Sequence, residues 1–146
     1  MNKTRRSSIV DALVDKLKDI TLVNGYLTDI GNQVFNRMKF LDEITEWPAI
    51  CVVAGPEQIV HQGGGYKDRY LTLRLTAFVN HEDSTLATER LMEDIERIID
   101  NNGRLAYLDS FGNPATTRDI IITLIDTDQG ALAPLGVGEM SLQVSY

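Results

Sequence analysis

The sequence predicts an α+β domain: an antiparallel or mixed β-sheet with two main amphipathic helices packed on one face, plus a small β-hairpin. Three stretches carry that expectation. Between Tyr70 and Val79, Leu71, Leu73, Leu75, Ala77 and Val79 alternate with Tyr70, Thr72, Arg74, Thr76 and Phe78. Side chains switch faces at every residue of a strand, so the first set forms an aliphatic wall and the second a mixed face. The period then changes. Leu91, Ile95 and Ile98 make a helical row, widened by Ala87, Met92 and Ile99. At the C-terminus, Met140, Leu142, Val144 and Tyr146 again alternate with Glu139, Ser141, Gln143 and Ser145. An oily strand face and an oily helix stripe can bury one another, which is the nucleus of a two-layer domain.

The elements follow in order. Residues 1–6 carry Lys3, Arg5 and Arg6 and read as a flexible N-terminal arm on a single domain spanning 1–146. Ser7 or Ser8 is the expected cap of a first helix, whose stripe is Val10, Leu13, Leu17 and Ile20. Asn24-Gly25 ends that region. Two short strands, Tyr26 to Ile30 and Gln33 to Phe40, are expected as the small hairpin around Gly31-Asn32. Ala49 to Ala54 is a short, continuous apolar run, read as a strand buried on both faces. Gly55-Pro56 should turn the chain before a second strand, Glu57 to Gln62. Gly63-Gly64-Gly65 is a flexible tip, so Gln58 to Leu75 reads as a hairpin that projects beyond the sheet. Ser84 is the expected cap of the second helix, and Gly103 its left-handed stop. Phe111-Gly112-Asn113-Pro114 is turn chemistry. Arg118 to Asp126 is a very apolar strand, Ala131 to Gly138 a looser stretch, and Val137 to Tyr146 the last strand.

Composition narrows the function. The chain has 146 residues, 43% of them hydrophobic, enough for one core and too many for global disorder. Its net charge of −7 argues against a generally cationic nucleic-acid surface. With one cysteine there is no intramolecular disulfide, and the apolar setting of Cys51 suggests a buried, inert thiol. No apolar run approaches the roughly 20 residues needed to span a bilayer, and no signal core follows the N-terminus. The expectation is a soluble protein of the cytoplasm, or of an assembly built there, with no membrane partner.

Catalytic and cofactor motifs are scarce. His61 and His81 are the only histidines and have no metal-site spacing. The triple glycine lacks the lysine and the following helix of a phosphate loop. Ser7, Ser84 and Ser110 have no nucleophile-elbow context. No catalytic, cofactor or metal residues are therefore nominated. The surplus is instead in aromatics on one sheet face, Tyr70 and Phe78, which suit a second layer or a subunit interface.

The order of these elements resembles a known family. A helix and a small hairpin lead into "WPAICVVAG", then "EQIVHQGGGYKDRYLTLRLTAFV", the helix "STLATERLMEDIERII" and the strand pair "DIIITLID…GEMSLQVSY". Nearly the whole chain is similar to the tail terminator proteins of tailed bacteriophages, the group that includes the lambda minor tail protein U. The resemblance implies a non-enzymatic subunit of a hexameric ring on the head-proximal end of the tail tube. Such a ring stops tube polymerisation and offers a surface for head joining, and its subunits can stay monomeric until the tube end templates them. It implies as partners other copies of the chain, the tail tube protein and the head–tail neck proteins, with DNA passing through the lumen unbound. The implied location is the virion tail, assembled in the host cytoplasm. Gly63, Gly64, Gly65, Tyr66 and Lys67 at the hairpin tip, and Leu132, Pro134 and Leu135 in the 131–138 loop, are the candidate contacts to tube or neighbour. Tyr70, Arg74 and Phe78 are the candidates for subunit packing. The rival readings are another head–tail connector or head-completion protein, a small α+β enzyme, and a ligand-binding module.

Overall fold

The computed structural model describes residues 3–146. Its first helix, α1, runs Arg5–Leu17 and is capped by Thr4, whose hydroxyl accepts from the Ser7 amide at 3.1 Å. The cap therefore lies three residues before the expected Ser7. Arg5 and Arg6, expected in a flexible arm, are helical, and Arg6 donates to the Gly55 carbonyl. Met1 and Asn2, the start of that arm, lie outside the described residues.

The hairpin expected between Tyr26 and Phe40 does not form. Only Val34–Phe35 is a strand, β1, and it pairs in parallel with β2, Ala49–His61. The donors of the 22–28 segment are taken locally instead: the Asn24, Gly25 and Tyr26 amides by the Thr21 and Leu22 carbonyls, and others by carboxylates. Asp29 accepts from the Leu22 amide at 2.8 Å, and Asp94 from the Leu27 amide and the Thr28 hydroxyl. Such local side-chain acceptors compete with strand pairing and here they win. The small hairpin lies elsewhere, in β4 (Ala106–Leu108) and β5 (Pro114–Thr116), closed by the expected turn at Phe111 to Pro114.

Gly55-Pro56 is not a turn either. It is a bulge inside the continuous strand β2, where the register against β3 (Lys67–Asn80) shifts between Ala54 and Glu57. Proline cannot donate to a ladder, and a bulge accommodates it. The second helix, α2, spans Ser84–Asp100. Its cap is Asp83, whose carboxylate accepts from the Leu86 amide at 3.2 Å, while the predicted cap Ser84 is buried. Gly103 does not adopt the left-handed stop. The helix end is served by the Asn102 side chain, which donates to the Ile98 carbonyl at 2.8 Å.

β6 (Asp119–Thr127) and β7 (Leu135–Ser145) complete a five-stranded sheet in the order β1-β2-β3-β7-β6. Every pairing except β1–β2 is antiparallel. Residues opposite each other across these ladders share a face. Leu71, Leu73, Leu75, Ala77 and Val79 thus line up with Val144, Leu142, Met140, Gly138 and Gly136. Both helices cover this one face, and a single core joins Ile9, Leu13 and Leu17 to Leu91, Ile95 and Ile98 through these strand residues. Part of the stretch read as loose is strand: Gly136 and Gly138 sit in β7, where a Cβ would come within 2.7 Å of α2 side chains. The glycines let α2 approach the sheet closely.

Candidate interaction surfaces

The sheet sets two ends. β3 rises from the hairpin tip at Lys67 to Asn80, about 40 Å at roughly 3.3 Å per residue. Its last residue paired with β7 at the lower end is Tyr70, opposite Ser145, so the β2–β3 arms around Ile59 and Asp68 extend beyond β7. At the tip, Gly64 and Gly65 take φ of 76° and 83°, in the left-handed region that glycine enters freely. The Gln62 amide closes the tip on the Tyr66 carbonyl at 2.8 Å. This throws the Tyr66 ring outward, 76% exposed, beside exposed Lys67.

At the upper end, Asn80 pairs with Leu135, the first residue of β7. Leu132 is 46% exposed, and Pro134 is exposed while its carbonyl accepts from the His81 amide at 2.9 Å. Leu135, expected in the loop, is in the strand and half-buried. The two predicted contact groups therefore lie at opposite ends of one strand.

The predicted packing face divides. Arg74 is exposed and Tyr70 half-buried. Phe78 is 4% exposed, its ring spent on the chain's own packing rather than offered on the open face. It anchors a second, smaller cluster with Ile44, Ala49 and Cys51, flanked in the sheet by Phe35 and Val137 and packed against by Leu41 and Trp47. Strand alternation alone placed Phe78 on the open face; the chain between Phe40 and Pro48, folding back over that face, covers it. In this cluster burial pushes the Cys51 thiol above its ordinary range, which fits an unreactive thiol.

Periodicity missed two exposed apolar groups. β6 is the terminal strand, and its Ile121, Leu124 and Ile125 are exposed. At the opposite edge, Met38 and Phe40 are exposed just after β1. An apolar run such as Ile120 to Ile125 suggests a central strand, and nothing local reveals that it ends the sheet. No three His, Cys, Asp or Glu side chains converge as a metal-binding group among the described residues.

These features define a class: a small α+β protein with exposed apolar and aromatic groups at its sheet edges and ends. Residues 3–146 match the family of bacteriophage tail tube terminator proteins, and the chain belongs to that family. It is 31% identical to the tail tube terminator protein p142 of Escherichia phage T5, over 97% of this chain and 92% of that one. A chain in the virion of a native gene transfer agent particle has the same fold, with a TM-score of 0.62 at 8% identity, covering 94% of this chain and 93% of that one.

Proposed function

We propose that this protein is a structural component of the phage virion that ends the tail tube. As a closed ring of copies, reached on the tube end if not before, it caps the head-proximal end, halts polymerisation and presents a new surface to the neck. The observation that carries this reading is the separation of the two contact groups. The Tyr66 tip lies at one end of β3, and the Leu132 loop at the other. A terminator needs that polarity: one end must match the growing tube, and the other must not copy the tube's own end. The family relationship and the name of the T5 relative supply the tube as partner.

Termination is then steric and needs no reaction. Subunits that cover the tube end exclude the next tube subunit and offer no equivalent site in its place. A ring of head-to-tail contacts closes by rotation, so each copy uses two different patches. The net charge of −7 suits a lumen that DNA crosses without binding, because carboxylates repel the phosphate backbone.

The test is to polymerise tail tube protein with and without this protein and to image tube lengths and ends by electron microscopy. Tubes halted in growth and capped by a ring at one end are the expected result. Tubes of unchanged length, with the protein left free, overturn the reading in favour of a head-side connector.

A further inference from the structure

We propose that the β6 edge of one copy docks against the β1 edge of the next, with Asp126 and Glu139 facing Arg37 and Lys39. The proposal rests on the ring reading and names its seam. Four observations carry it.

The first is the unpaired edge. β6 pairs only with β7, so the outer backbone groups of a nine-residue strand lack ladder partners. Ile121, Leu124 and Ile125 beside them are exposed, and β6 itself has none of the lysines or prolines that blunt such an edge against association.

The second is an unbalanced charge pair. Asp126 and Glu139 stand directly opposite each other on β6 and β7, where like charges repel. Both are exposed, and among the described residues no cation lies within ion-pair distance of either. The third is its complement on the far edge of the same sheet. Arg37 and Lys39, next to exposed Met38 and Phe40, also have no carboxylate partner among the described residues, and the Lys39 ammonium rests 3.8 Å over the Phe35 ring. Asp42, Glu43 and Glu46 follow, and Glu46 takes the Gln33 side-chain amide.

The fourth is register. Phe35 pairs with Cys51, Cys51 with Thr76, Thr76 with Glu139 and Glu139 with Asp126. One row thus crosses the whole sheet, ending at β1 on one edge and at Asp126 on the other. Copies set side by side without axial offset bring Phe35 level with Asp126; the Lys39 ammonium over the Phe35 ring lies in that row, and Arg37, two residues further along an extended chain, falls level with Leu124. β1 is antiparallel to β6 within the chain, so the joined edges would also run antiparallel, the orientation of most pairs in this sheet. Two different edges in one contact give a head-to-tail interface, which a ring requires.

The experiment uses assembled protein, either free at high concentration or on the ends of tail tubes. A chain carrying Ile125→Cys and Asn36→Cys, which the row places level and on the same face, is oxidised; the native Cys51 is buried and does not compete. A ladder of disulfide-linked copies that needs both new cysteines is expected. Reversing one edge, with Asp126→Lys/Glu139→Lys or with Arg37→Glu/Lys39→Glu, should reduce the ladder about tenfold or more. Mixing the two reversed chains should restore it, because each then meets an opposite edge; a misfolded variant could not be rescued in this way. Assembled rings without the disulfide, indifferent to both reversals, overturn the seam and leave the ring reading intact. No assembled species at all, free or on tubes, overturns the ring reading and the seam together.

Discussion

The Tyr146 hydroxyl donates to the Glu57 carboxylate at 2.5 Å, joining the last residue of the chain to the strand that follows the β2 bulge, 89 residues earlier. Arg69 donates to the other carboxylate oxygen at 2.7 Å, and Arg6 from the first turn of α1 lies 3.9 Å away. Arg5 sits over the Tyr146 ring, and Tyr107 meets that ring edge-on. The lower end of the core is thus closed by a polar cluster drawn from α1, β2, β3, β4 and the C-terminus. Burial, and then the hydrogen bond and charge of Glu57, push the Tyr146 phenol up to about 12. The fold favours the protonated phenol, so this contribution is intact below pH 10 and is lost as pH rises from 10 towards 12. Difference titration of tyrosinate absorbance between the wild type and Tyr146→Phe should show one tyrosine ionising near 12. In Glu57→Gln that tyrosine should ionise at lower pH.

Glu57 gives the acid limb. Burial raises its carboxyl pKa, but hydrogen bonds from Tyr146 and Arg69 and the charges of Arg69 and Arg6 outweigh this and hold it below its ordinary value of 4.5. A depressed folded pKa contributes stability that is full above 4.5 and lost as pH falls through the folded value. Glu57→Gln should cost about 1–3 kcal/mol at pH 7, since a carboxylate with charged donors is replaced by an amide. The gap to wild type should narrow as pH falls below 4.5 and through the depressed folded value, where the wild type gives up the same interaction. Urea midpoints at pH 7 and pH 3 measure both, and a gap independent of pH would contradict the assignment.

The two β7 glycines make opposite demands on their neighbours. A Cβ at Gly136 would meet Thr88 Oγ1 at 2.6 Å and Val79 Cγ2 at 2.7 Å. Both neighbours are β-branched and stiff. At Gly138 the closest atom is the terminal methyl of Met92, also at 2.7 Å, on a side chain that can swing aside. Gly136→Ala should therefore destabilise by about 1–3 kcal/mol, and Gly138→Ala by clearly less. Denaturant unfolding of the two variants ranks them.

What the sequence revealed and what it hid follow the range of the interactions involved. The β3 wall, the α2 stripe and the β7 alternation are local periodicities, and each formed where its period placed it; the first stripe formed through Leu17, while Ile20, buried in the core, lies beyond the end of α1. The triple-glycine tip was legible because its conformation is set by residues next to one another. The errors came from distant partners. Tyr26 to Ile30 has strand-like texture, but Asp94, on a helix more than 60 residues later, takes the Leu27 amide and the Thr28 hydroxyl. Phe78 alternates with an exposed face, yet a folded-back segment covers it. Strand order is the least local property of all. The Arg118 to Asp126 run therefore gave no sign that it would be an edge, or that Asp126 would share a row with β1.

Asp94 tests the first of those distant partners. It is 1% exposed, and its two oxygens accept from the Leu27 amide at 3.0 Å and the Thr28 hydroxyl at 2.6 Å. Asp94→Ala leaves both donors in a partly buried site without their acceptor, at a cost of about 1–3 kcal/mol. Asp94→Asn keeps one acceptor oxygen, and the Thr28 hydroxyl can turn to accept from the new amide, so it should cost less. Hydrogen exchange at Leu27 should quicken in the alanine variant before global unfolding does. Equal protection in both variants would mean that packing, not this carboxylate, holds the segment.

Tyr66 separates binding from folding. Its ring is exposed at the end of a hairpin whose backbone turn is closed by Gln62 and shaped by glycines. Truncation should therefore leave stability within about 0.5 kcal/mol, as expected for a surface site. An exposed aromatic on a constrained turn is the kind of residue that carries a large share of contact energy once a partner covers it. If the tip meets the tube, Tyr66→Ala should keep the wild-type melting curve while tubes grown in its presence lose their caps and lengthen. If capping is unchanged, the tip is not the tube contact, and the Leu132 end of β3 becomes the surface to alter next.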